Sequence, residues 1–231
     1  MLIVANWKMN CLKAQAERLL NQIKQNLAGK NEIVICPPFT LLDFTEKSLF
    51  GSNIKLGAQN CSDNENGAFT GEISVEMLAD LNVEYVILGH SERRTYNNES
   101  NEVVKKKAET AIKHNIKPII CIGESLDERK AGKTKDVVLQ QIKNSLPDSN
   151  NFVIAYEPIW AIGSGLTPSL DEIKEIHDFI AINKPNIKIL YGGSVNENNC
   201  HEIAKVDNVS GFLVGGASLV ADKFNIIAQV F

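Results

Sequence analysis

The sequence contains no apolar run longer than a few residues, well short of the roughly 20 that a membrane-spanning helix needs, so no membrane association is expected. It has no basic excess either. Lys and Arg total 24 against 28 Asp and Glu, a formal net charge of -4, which argues against a nucleic-acid partner and requires any anion to be bound locally. There is no C-x-x-C pair. Five cysteines, Cys11, Cys36, Cys61, Cys121 and Cys200, stand alone along the chain, the pattern of reduced thiols in a cytoplasmic protein. Met1 leads straight into Leu2-Ile3-Val4-Ala5 without a basic leader, a long apolar segment or a small-residue cleavage site, so a secretory signal is not expected. The glycosylation-type triplet Asn98-Glu99-Ser100 is then a chance match.

What is present is enough apolar material for a large core: 44% of 231 residues are hydrophobic. Short runs recur at Leu2 to Ala5, Ile33 to Cys36, Ile54 to Leu56, Tyr85 to Leu88, Ile119 to Ile122, Phe152 to Tyr156, Ile187 to Tyr191 and Phe212 to Val214. They lack in-out alternation, as parallel strands buried on both faces do. Helix-period segments lie between them. Leu12, Ala16, Leu19, Leu20, Ile23 and Leu27 share one face, Val103, Val104, Ala108, Ala111 and Ile112 another, and Ile173, Ile176, Phe179 and Ile180 a third behind a Thr167-Pro168 start signal. With no composition break, the expectation is a single-domain α/β chain over 1–231, a closed (β/α)8 barrel. The rival, an open doubly wound sheet holding a dinucleotide, would show a glycine-rich turn after its first strand, where Asn6-Trp7-Lys8 stands instead.

A barrel places its chemistry at the C-terminal strand ends. Asn6 and Lys8 end the first strand, His90 and Glu92 the fourth, Cys121 to Glu124 the fifth and Glu157 the sixth. Glu157 follows an apolar strand and precedes Pro158. Desolvation there would raise its pKa toward that of a working general base; the alternative is a rim carboxylate paired with a cation. Pro158 to Gly165 carries Trp160 in an apolar middle between a proline and paired glycines, either a lid or a loop packed permanently on the barrel. His90, near backbone donors of a short helix, is either a neutral hydrogen-bond donor or structural. Glu92 is a supporting acid or a partner of Arg93 or Lys8. Lys8 suits an anionic substrate, a Schiff base or plain surface exposure. Tyr191-Gly192-Gly193-Ser194 and Leu213-Val214-Gly215-Gly216 are phosphate-binding turns or merely tight turns. Two decoys fail: Gly132-Lys133-Thr134 lacks the earlier P-loop glycine, where Asp127 stands, and His90-Ser91-Glu92 lacks the P-C-x-x-C of a zinc deaminase.

Ala5 to Asn10, Gly89 to Arg94, Ala155 to Gly163 and Tyr191 to Ser194 together resemble the triosephosphate isomerase family, in order and across the whole chain. That family is itself a standing example of a lidded barrel with a tuned acid-base pair. The resemblance implies interconversion of dihydroxyacetone phosphate and D-glyceraldehyde 3-phosphate through an enediolate, in glycolysis and gluconeogenesis, with no cofactor and no metal. It implies Glu157 as proton carrier, His90 polarising the carbonyl, Asn6 and Lys8 stabilising charge, Trp7 among the substrate contacts, and Gly163, Ser194, Gly215 and Gly216 on the phosphate. It further implies a homodimer in which the loop from Gln59 to Thr70 reaches a partner. Leu166, where the family commonly has lysine, and the neighbouring Ser164 and Pro168 depart from its lid pattern. The chain is also slightly short, with brief connections around Gly29 to Glu32 and before Gly211. A Schiff-base aldolase using Lys8 and a catalytically silent scaffold are the competing readings.

Overall fold

The computed structural model describes residues 1–26, 29–162 and 166–230. Eight strands, β1 (Leu2–Asn6), β2 (Glu32–Cys36), β3 (Lys55–Ala58), β4 (Tyr85–Leu88), β5 (Lys117–Ile122), β6 (Val153–Tyr156), β7 (Ile189–Tyr191) and β8 (Gly211–Val214), form a closed barrel in chain order. All pairings are parallel, and β1 closes on β8 with Leu2 opposite Gly211. That closure excludes the open doubly wound sheet.

Among the described residues ten helices surround the strands: α1 (Lys13–Asn26), α2 (Leu42–Leu49), α3 (Val75–Asp80), α4 (Ser91–Tyr96), α5 (Asn101–Lys113), α6 (Leu126–Lys130), α7 (Thr134–Ser145), α8 (Leu170–Asn183), α9 (Cys200–Ile203) and α10 (Ala221–Ala228). Successive strand residues turn to opposite faces, and here both faces are apolar. Leu2, Val4, Val34, Cys36, Ile119 and Cys121 belong to an inner core. Ile3, Ala5, Ile33, Ile35, Ile120 and Ile122 pack outward with Ala16, Leu20 and Ile23 of α1 and Val104, Ala108 and Ala111 of α5. Two apolar faces explain why these strands read as unbroken runs rather than alternations.

Barrel closure rests on one glycine. Gly211 has φ +147°, and a Cβ there would lie 1.8 Å from the Leu2 carbonyl oxygen. Only glycine admits both the backbone angle and the close approach of β8 to β1.

Two helix expectations need correction. Leu12 precedes α1 and is 76% exposed, so it leaves the apolar face that Ala16, Leu19, Leu20 and Ile23 form; Leu27 lies outside the described residues. The start of α8 is set by Ser169 rather than Thr167-Pro168. Its side chain accepts from the Glu172 backbone N–H while the Glu172 carboxylate accepts from the Ser169 N–H, a reciprocal cap that satisfies two terminal donors.

Candidate active site

The loop after β1 is pinned before it carries any chemistry. Asn6 is buried, and its Oδ1 accepts the Lys8 N–H at 3.0 Å, holding Lys8 at φ +52°. Gln59 Nε2 donates to the Lys8 carbonyl at 2.8 Å and to the Cys36 carbonyl at 2.9 Å, while Asn10 Nδ2 donates to the Trp7 carbonyl. A residue in the left-handed region needs such support. The result directs the Lys8 ammonium across to the start of α4, where it meets Glu92 Oε1 at 2.5 Å. Arg93 instead binds Glu99 at 2.6 Å, so Glu92 is the partner of Lys8.

His90 caps α4. Its Nδ1 accepts the Glu92 backbone N–H at 3.2 Å, an acceptance that requires a lone pair on that nitrogen and leaves the ring proton on Nε2. His90 Nε2 donates to Glu157 Oε1 at 3.1 Å. The other carboxylate oxygen accepts the Ser91 N–H at 3.1 Å. Glu157 is 2% exposed, and its backbone N–H donates to the Ile122 carbonyl at 2.8 Å, which extends the β5–β6 ladder by one residue. Glu157 and the His90 ring thus meet because two strand ends far apart in sequence become neighbours on the rim.

Two further residues fix this corner. Arg94 donates from Nε to the Gly89 carbonyl at 2.7 Å and from Nη2 to the Cys121 carbonyl at 3.1 Å, tying the end of β4 to β5. Burial, with the Glu157 carboxylate next in importance, pushes the Cys121 thiol well above its ordinary value. It is therefore protonated, and is no nucleophile. On the opposite side, a Cβ on Gly192 would lie 3.0 Å from Glu157 Cγ, so the glycine leaves room for the carboxylate stem.

Sequence reasoning reached the end of β5 but did not single out Glu124. This fully buried carboxylate accepts from Trp160 Nε1 at 2.9 Å and from the Tyr156 hydroxyl at 3.1 Å, and burial raises its pKa against those bonds. Arg129 lies over the Trp160 ring at 4.4 Å. Of the segment's apolar middle, Trp160 is half-buried and anchored, and Ala161 is buried in a short 3-10 turn, Ile159–Ala161. A buried carboxylate 36 residues upstream of its indole partner leaves no local pattern to read. The Ala161 carbonyl accepts the Ser194 hydroxyl, joining this segment to the turn after β7.

Asn6, Lys8, His90 and Glu157 line one cleft of 460 Å³ together with Ser194, Gly215 and Gly216. Gly163 lies outside the described residues. Trp7 is the exception among the candidate contacts: its side chain is fully buried in the outer core and does not line the cleft, because the loop turns the indole inward. A second hollow of 560 Å³ beside α1 contains Arg18 and Gln22 but none of the strand-end chemistry. Among the described residues the one close grouping of metal-ligand types is Glu65, Glu76 and His114, off the cleft lining.

The cleft is shaped for a small anion bearing a carbonyl: an oxygen base, a ring N–H beside it, a lysine, and glycine turns opposite. Comparison with known proteins agrees. The chain is 48% identical to the triosephosphate isomerase of Alkaliphilus oremlandii over 96% of each chain, and 46% identical to that of Alkaliphilus metalliredigens over the same shares. It is 45% identical to the triosephosphate isomerase of a Wolbachia from Brugia malayi, over 99% of this chain and 96% of the relative. A family profile, triosephosphate isomerase, matches residues 1–231, and the chain belongs to that family.

Proposed function

We propose that the chain, acting as one catalytic domain over 1–231, interconverts dihydroxyacetone phosphate and D-glyceraldehyde 3-phosphate in glycolysis and gluconeogenesis. The observation that carries this reading is the Glu157–His90 contact in a cleft that also holds Lys8 and two glycine turns. Glu157 turns from its Ser91 and His90 partners to the substrate and removes a proton from the carbon next to the carbonyl. The C–H electron pair becomes the double bond of an enediolate, and the carbonyl π pair moves onto oxygen. His90 Nε2–H, Lys8 and Asn6 are placed to stabilise that charge as donors and a cation in a dry site. The enediolate's hydroxyl proton passes to the other oxygen through His90 Nε2, and Glu157 returns its proton to the neighbouring carbon while an oxygen lone pair re-forms the carbonyl at the carbon first deprotonated. Ser194, Gly215 and Gly216, with Gly163, hold the phosphate. Closing the segment that begins at Pro158 keeps water from an intermediate that would otherwise eliminate phosphate.

A homodimer fits the surface. Met9, Leu12, Phe69, Met77 and Tyr96 are exposed on segments that follow β1, β3 and β4, more apolar side chains than a free rim needs. The loop that includes Phe69 is anchored at its base, where Lys107 Nζ meets Asn60 at 3.0 Å and Glu99 at 2.6 Å, while residues 66–72, Thr70 among them, are exposed. The proposed setting is the cytoplasm; no described helix is long and apolar enough to cross a membrane. Neither a nucleic acid nor a cofactor is part of the reading.

The test is turnover of D-glyceraldehyde 3-phosphate coupled to a dihydroxyacetone phosphate reductase, wild type against Glu157→Gln. Removing a general base is expected to lower kcat by about a thousand-fold. Equal rates in the two proteins overturn the assignment. The aldolase reading needs Lys8 Nζ free to attack a carbonyl, whereas here it donates to Glu92; borohydride trapping of a triose phosphate on Lys8 would revive it.

A further inference from the structure

The lining of the cleft includes one charged pair that the reaction above does not use. Lys223, in the first turn of α10, reaches Glu197 of the β7–α9 connection at 2.8 Å, with side chains 47% and 22% exposed. Both residues line the cleft beside Ser194, Gly215 and Gly216. Glu197 Oε2 is buried and has no hydrogen-bond partner among the described residues, and Lys223, ahead of a backbone N–H, holds the carboxyl below its ordinary range. A cation in a first helical turn opposes the helix dipole, so helix energetics do not account for this lysine. A partly exposed ion pair contributes about 0–1 kcal/mol to folding, so stability does not account for it well either. A carboxylate beside a phosphate site, by contrast, repels its ligand unless it is neutralised.

We propose that Lys223 and Glu197 form a charge-balancing pair at the phosphate end of the cleft, the ammonium cancelling the carboxylate and so setting how tightly a phosphate dianion is held. The inference rests on Ser194, Gly215 and Gly216 being the phosphate turns. The arrangement repeats that at the reacting end, where Glu92 balances Lys8. Lys223 and Glu197 act on affinity through the field they present, not on proton transfer, and the signs of their effects are opposite. A simple strap joining the β7 and β8 connections would give effects of one sign.

The test compares wild type, Lys223→Ala, Glu197→Gln, the double variant and Lys223→Arg by KM and kcat for D-glyceraldehyde 3-phosphate and by competition with inorganic phosphate. A unit charge about 8 Å from a dianion in a water-like dielectric changes binding about five-fold. Lys223→Ala is therefore expected to raise KM and the phosphate inhibition constant about five-fold at low salt, less as ionic strength exceeds about 0.15 M, with kcat nearly unchanged. Glu197→Gln lowers both constants by a similar factor, the double variant returns close to wild type, and Lys223→Arg retains wild-type values. Weaker phosphate binding in both single variants, or no change in either, overturns the proposal. Calorimetric titration with inorganic phosphate reads the pair independently of turnover, so an inactive wild type would sink the isomerase assignment while leaving the charge pair on trial.

Discussion

Gly192 offers a steric probe of Glu157, the proposed base, that removes no reacting group. Its φ lies outside the left-handed region, so alanine there carries no backbone penalty, and its effect comes from one methyl group. That methyl would meet Glu157 Cγ at 3.0 Å and the Tyr156 carbonyl at 3.3 Å. Ordinary contact is about 3.5–4.0 Å, so the carboxylate stem must move by roughly half an ångström. Glu157 cannot yield freely, being buried and held at both oxygens by Ser91 and His90. A misplacement of about 1 Å costs on the order of a hundred-fold in rate, so half of that predicts about a ten-fold loss of kcat. Overpacking of about 1–2 kcal/mol, at about 2–4 °C per kcal/mol for a chain of this size, lowers Tm by only a few degrees. Gly193→Ala is the control. Its methyl would fall 2.3 Å from the buried Tyr191 hydroxyl without approaching Glu157, so it should lower Tm more than Gly192→Ala does. Steady-state kinetics and thermal melts of both variants decide the matter. Wild-type kcat in Gly192→Ala refutes the claim that this glycine exists to seat the base.

The remaining predictions concern folding. Gly211→Ala should fail to fold or lose more than about 3 kcal/mol, since its Cβ would overlap the Leu2 carbonyl at 1.8 Å on a strained backbone; a wild-type urea midpoint would contradict the account of barrel closure. His177, fully buried between Tyr156 and Tyr191 with Nδ1 on the Asn208 carbonyl, has its pKa lowered by desolvation from 6.5 to about 4. The unfolded chain then binds the extra proton across that interval, so stability rises with pH from about 4 to 6.5 and is lost on acidification, by up to about 3 kcal/mol. His177→Phe should flatten the acid limb of a urea-midpoint against pH plot; an unchanged slope would assign the limb to other groups.

The barrel was legible because every strand is buried twice over, which turns a topology into a composition: Leu2 to Ala5 and Tyr85 to Leu88 are visible as runs. Strand ends were legible for the same reason, since a polar residue after such a run has no place but the rim, and Glu157, His90, Asn6 and Lys8 all lie on one cleft there. What stayed hidden was pairing. The sequence offered Lys8 only beside Arg93 as a partner for Glu92, and it gave no sign of Trp160 with Glu124 or Lys223 with Glu197, because no local period encodes which rim residue faces which. Side-chain direction was hidden as well. Trp7 lies between Asn6 and Lys8 in sequence, yet the left-handed turn that sends Lys8 into the cleft leaves the indole in the core. The cap of α8 was missed for a different reason, because Thr167-Pro168 and Ser169 are rival start signals two residues apart and only the reciprocal bond with Glu172 separates them.

The cysteines, first noticed because none is paired, acquire a meaning from where the barrel puts them. Cys36 and Cys121 sit in the inner core, Cys61 in the loop after β3 and Cys200 at the start of α9, all buried, while Cys11 is half-exposed. Burial pushes the Cys61 thiol to about 12 and those of Cys36 and Cys121 higher still. A thiolate is what oxidants and alkylating reagents attack, so four of the five sulfurs are chemically silent for as long as the chain stays folded. Each sulfur falls due to react when its own surroundings part: Cys11 first, although partial burial raises its thiol too, then Cys61 and Cys200 when a loop or short helix lifts, and Cys36 and Cys121 only when the strands themselves separate. The order in which the thiols become alkylated is thus a built-in record of how the molecule comes apart, written from the surface to the barrel axis.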